Sequence, residues 1–135
     1  MKSLILISHG HFCHELKKST EMIMGPQNTI FSVGLETIEG AEDFRKKLLT
    51  IINNIEGDFL IFADLLGGTP CNVATQLLMA GHHFELYAGM NMPMIIAFLN
   101  SQMLDQEIDL KRFAQENIHF VNTLLEQNND EEDEL

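Results

Sequence analysis

The sequence predicts an α/β fold: a doubly wound, mainly parallel sheet with helices on both faces. Three observations predict it. Two runs, Leu4 to Ile7 and Phe59 to Ala63, are apolar throughout, the pattern of strands covered on both sides. Segments with apolar residues at helical spacing separate such runs, and Gly or Pro closes them. Strand and helix then alternate along the chain, which calls for parallel strands joined by right-handed crossovers.

Leu4 to Ile7 is the first strand. Phe12 to Met24 follows as a helix with Leu16, Ile23 and Met24 at roughly helical spacing, stopped by Gly25-Pro26. Thr29 to Val33 is a second short strand. In Gly40 to Ile55, Phe44, Leu48, Ile51, Ile52 and Ile55 form one stripe, an amphipathic helix that ends near Gly57. Phe59 to Ala63 is the third strand. Thr69-Pro70 starts a helix, Thr as its cap and Pro in its first turn, with Val73, Ala74, Leu77 and Leu78 inward and Gly81 closing it. His83 to Ala88 is a fourth strand, and Pro93 opens a helix over Met94 to Met103. Leu110 onward starts helical, while Ile118 to Val121 is β-branched and aromatic enough for a short strand.

At 135 residues the chain is one domain, here read as residues 1–125 followed by an acidic, disordered tail at 126–135. Much of the net charge of −12 sits in that tail. Such an acidic chain repels the phosphate backbone, so nucleic-acid binding is set aside. Cys13 and Cys71 form no close pair, which suits a reducing compartment. The opening apolar run is too short for a signal-peptide core, and a cytoplasmic location is expected.

The chemistry gathers at two strand ends. The first apolar run ends in Ser8-His9-Gly10, the third in Asp64 and then Gly67-Gly68-Thr69-Pro70. With the strands ordered second, first, third, fourth, the order reverses between the first and third, where doubly wound sheets bind ligands. His9 and Asp64 would meet there. A carboxylate that accepts the proton of one imidazole nitrogen leaves the other free to attack phosphorus. Gly10 lets backbone approach an anion. Gly67, Gly68 and Thr69 would offer N–H groups, a hydroxyl and the positive end of a helix dipole as a phosphate cradle. The loop Gly89 to Pro93 ends the fourth strand at the same edge, and Phe12 with Met92 to Met94 would supply an apolar rim.

No metal or other cofactor is expected. His9, His11 and His14 are close in sequence, but no second group of Cys or carboxylate ligands completes a site. Met90, Met92 and Met94 read as packing.

These motifs, Ile7-Ser8-His9-Gly10, then Phe62 through Asn72, then Gly89-Met90-Asn91-Met92-Pro93-Met94, resemble the EIIA domain of the mannose-type branch of the bacterial sugar phosphotransferase system. The resemblance spans about Met1 to Glu126 and implies a phosphotransferase with a phosphohistidine intermediate. His9 would accept phosphate from HPr and pass it to an EIIB protein, serving the membrane components EIIC and EIID indirectly. Asp64 would pair with the ring, and Thr69 would take the place of the motif's hydroxyl. The resemblance also implies a homodimer that exchanges a C-terminal antiparallel strand, a role for Ile118 to Val121. Well-known members run on through a linker into an EIIB domain; here the acidic tail leads one to expect EIIB on a separate polypeptide. Three rivals are kept: the phosphocarrier domain of the dihydroxyacetone kinase system, a metal chelatase, and a histidine phosphatase. Ser8 stands where a histidine phosphatase typically has arginine, which disfavours it.

Overall fold

The computed structural model describes residues 1–133. Four strands, β1 (Ser3–His9), β2 (Ile30–Leu35), β3 (Phe59–Ala63) and β4 (Glu85–Ala88), form one sheet in the order β2-β1-β3-β4. All pairings are parallel. The order reverses between β1 and β3, as expected. The helices are α1 (Phe12–Met24), α2 (Ala41–Asn54), α3 (Thr69–Met79), α4 (Met92–Leu104), α5 (Leu110–Glu116) and α6 (Val121–Asp133). No helix among the described residues is long and apolar enough to cross a membrane.

The period-2 alternation of β1 builds a core on each face of the sheet. Leu4 and Leu6 point to one side, where Leu60 and Phe62 of β3 join Cys13 and Leu16 of α1, Ile95 and Phe98 of α4 and Leu110 of α5. Ile5 and Ile7 point to the other, against Ile61, Ala63, Phe44 and Leu48 of α2, and Val73 and Leu77 of α3. Strands buried on both faces explain why their sequence shows no polar alternation. The same alternation continues past Ile7. Ser8 faces the α1 side, and His9 faces the side that holds α3.

Three segments differ from expectation. β4 starts at Glu85 rather than His83, a short edge strand. Residues 118–120, expected with Val121 as a strand, have no regular structure, and Val121 opens α6. An extended segment gains nothing without a ladder partner, and Leu124, Leu125, Glu126 and Gln127 are good helix formers. From Glu126, the start of the expected disordered tail, α6 continues to Asp133. Glu134 and Leu135, the end of that expected tail, lie outside the described residues.

Candidate functional site

β1 and β3 are adjacent and end together, with Ile7 paired to Ala63. The Asp64 N–H donates to the Ile7 carbonyl (3.1 Å), which holds the residue after β3 against the last turn of β1. From there the Asp64 carboxylate reaches His9 twice. Oδ2 accepts the His9 backbone N–H at 2.9 Å and lies 2.7 Å from ring Nδ1. Oδ1 accepts the Leu65 N–H at 2.9 Å.

A carboxylate can only accept, so Nδ1 carries the hydrogen and Nε2 keeps its lone pair in the neutral ring. The His9 side chain is 49% exposed and that of Asp64 11%. A nearly covered carboxylate thus presents an accessible imidazole. Partial burial opposes ionisation of Asp64, but the hydrogen bonds from His9 and Leu65 outweigh it and hold its carboxyl below the ordinary range.

Gly10 turns the chain away from β1 at φ 56°, its N–H on the Leu35 carbonyl of β2 (2.7 Å). Ser8 is fully buried. Its Oγ accepts the Cys13 N–H at 2.9 Å, so it ties β1 to the first turn of α1 and takes no part in anion binding. Burial pushes the Cys13 thiol up, so it stays protonated and is no rival nucleophile.

The glycine pair shapes the other wall. Gly67 has φ 88°, a conformation that side chains rarely adopt. Gly68, not Thr69, is the N-cap of α3; Thr69 and Pro70 fill the first turn. Gly68 packs directly against the His9 ring: a carbon added to its Cα would lie 2.6 Å from Cε1 and 3.2 Å from Nε2. The open end of an eleven-residue helix therefore adjoins the free nitrogen.

Of the expected methionine rim, Met94 is buried in the core of the α1 face and Met92 is partly buried against it; Met90, read as packing, is buried there too. Asn91 caps α4 by accepting the Met94 N–H and donates to the Ala114 carbonyl, so this loop is structural. Phe12 is half exposed. Leu65 and Leu66, directly after Asp64, are 49% and 80% exposed and went unnoticed in the sequence. The available signal was two leucines outside any periodic pattern, between a strand end and a Gly-Gly turn.

His11 lies 3.2 Å from Glu36 through Nε2, and His14 Nδ1 lies 2.6 Å from the Ser32 hydroxyl. Among the described residues no group of three or more His, Cys, Asp or Glu is placed to hold a metal ion.

A carboxylate-held imidazole at the switch point of a parallel sheet, beside a helix N-terminus, defines a doubly wound α/β domain with a histidine site at its strand ends. Comparison with known proteins makes this particular. Residues 3–115 match the EIIA-man family model, described as the PTS system fructose IIA component, and the chain belongs to that family. It is 30% identical over 132 residues to the fructose-specific EIIA component of the phosphotransferase system of Bacillus subtilis (strain 168), covering 93% of this chain and 90% of that protein. It is 28% identical over 110 residues to the mannose-specific EIIAB component of Escherichia coli (strain K12), covering 79% of this chain but only 34% of that protein. The mannose/sorbose-specific IIA subunit from Enterococcus faecalis superposes with a TM-score of 0.74 at 30% identity, over 88% of this chain and 94% of that one.

Proposed function

We propose that this chain is a phosphoryl carrier that takes phosphate from phospho-HPr onto Nε2 of His9 and passes it to an EIIB component. The observation that carries the reading is the 2.7 Å contact between Nδ1 and the Asp64 carboxylate beneath an exposed ring. The Nε2 lone pair attacks phosphorus in line. A bond forms from Nε2 to phosphorus while the bond to the donor's imidazole nitrogen breaks, and that nitrogen keeps the electron pair. The His9 ring gains positive charge as it bonds, and Asp64 offsets it through the Nδ1 hydrogen. The N-terminus of α3 faces the transferred group, where the helix dipole and the first-turn N–H groups favour its charge. Transfer to EIIB is the same step in reverse on a new acceptor, so the ring must be reachable by two proteins in turn. Phe12, Leu65 and Leu66 supply an apolar rim for such brief docking.

The carrier works in the cytoplasm as a homodimer and serves the membrane components EIIC and EIID only indirectly, through EIIB. Two features support the dimer: β4 pairs only with β3 among the described residues, and Ile118, Phe120, Val121 and Leu125 are exposed. Native mass spectrometry after incubation with phosphoenolpyruvate, enzyme I and HPr tests both claims. The expected result is a particle of two chains with one acid-labile phosphoryl group per chain, absent in His9→Ala. An unmodified wild-type chain beside fully charged HPr would overturn the carrier reading, and a particle of one chain would overturn the dimer.

A further inference from the structure

We infer that Gly68 is a positioning residue: its missing side chain is the space the His9 imidazole occupies when it hydrogen-bonds Asp64. The inference rests on the carrier reading only for its consequence in catalysis. Its structural part stands on the geometry alone. A methyl carbon on Gly68 would lie 2.6 Å from Cε1, 3.2 Å from Nε2 and 3.7 Å from Nδ1. Carbon atoms in contact sit about 3.5–4.0 Å apart, so the first of these is a collision with the Cε1 edge of the ring.

Something must move, and the ring is what can. The Gly68 backbone, at φ −85° and ψ 164°, is extended and suits alanine without strain. The main chain of His9 is fixed by its place in β1 opposite Leu35 of β2 and by its N–H bond to Asp64. Rotation of the His9 side chain relieves the clash, and it carries Nδ1 off the carboxylate. Asp64 meanwhile keeps the backbone N–H groups of His9 and Leu65. Gly68→Ala therefore uncouples the imidazole from its partner while the fold stands. This separates Gly68 from Gly67, whose requirement is its positive φ.

Gly40 provides a matched control. It is the N-cap of α2, also extended at φ −104° and ψ −175°, and the nearest atom to an added carbon is Asp43 Oδ2 at 4.0 Å. Alanine at either position carries the same small capping cost. Only at Gly68 does it meet His9.

The test compares the wild type, Gly68→Ala and Gly40→Ala, each labelled with ¹⁵N-histidine. Tautomers are read by NMR, initial rates are measured over a range of phospho-HPr concentration, and thermal midpoints report folding. The expected result is the Nδ1–H tautomer of His9 in the wild type and Gly40→Ala, and a mixture in Gly68→Ala. The two variants should melt together. In Gly68→Ala kcat should fall about 10²-fold, the scale of an ångström-level misplacement, with KM unchanged. A Gly68→Ala protein with the wild-type tautomer and the kcat of Gly40→Ala would overturn the inference. A mixed tautomer in Gly68→Ala, with no phosphoryl uptake by any of the three chains, would support the positioning role and sink the carrier reading instead.

Discussion

Asp64→Asn lowers the rate of phosphoryl uptake by up to about 10⁴-fold, the loss seen when a carboxylate that holds a catalytic imidazole is replaced by an amide. The carboxylate accepts three N–H groups, two on Oδ2 from His9 and one on Oδ1 from Leu65. An asparagine amide has one accepting oxygen. With that oxygen toward His9, the amide NH₂ confronts the Leu65 N–H. With the NH₂ toward His9, Nδ1 must accept a hydrogen bond, and the ring hydrogen moves to Nε2. The attacking lone pair is then lost. Either arrangement also removes the negative charge that offsets the phosphorylated ring. Initial rates with phospho-HPr check this: kcat should fall while KM, set by docking at the rim, stays close to wild type. A kcat equal to wild type would show that the carboxylate does not hold the reactive ring.

Phe62→Ala should destabilise the fold by about 3–5 kcal/mol, the range for deleting a buried aromatic side chain. Phe62 is fully buried in the α1-side core. It packs edge-to-face on Tyr87, centroids 5.6 Å apart, and on Phe98 at 6.5 Å. Its strand is hydrogen-bonded on both sides, to β1 and to β4, so the backbone cannot close over the cavity. Urea unfolding reads the effect as a lower midpoint at unchanged slope. A loss below about 1 kcal/mol would mean that the two helical layers can collapse onto the sheet, contrary to a tightly packed interior.

The fold was legible because its strongest signals are local. Apolar runs without alternation mark strands covered twice, and Gly25, Gly57 and Gly81 mark the ends of the helices between them. The pairing of His9 with Asp64 was legible because a switch point brings two particular strand ends together whatever the loops do. Ser8 could have been placed too: counting alternate residues from Leu4 and Leu6 puts its hydroxyl under α1, as found. Other features depend on tertiary distances that no spacing contains. The role of Gly68 comes from a side chain nearly sixty residues earlier that folds across it. Met92 and Met94 have the composition of a rim, but Met94 is buried in the α1-side core and Met92 partly so, while Leu65 and Leu66 are exposed. Ile118 to Val121 failed as a strand because β propensity reports fit to a neighbouring strand, and a single chain gives this segment none.

The most direct measurement is to charge the ¹⁵N-histidine-labelled protein from phospho-HPr and read, through phosphorus–nitrogen coupling, which atom holds the phosphoryl group. The expected answer is Nε2 of His9, with Nδ1 still carrying its hydrogen toward Asp64. Phosphorus on Nδ1, or on His11 or any other residue, would contradict the account.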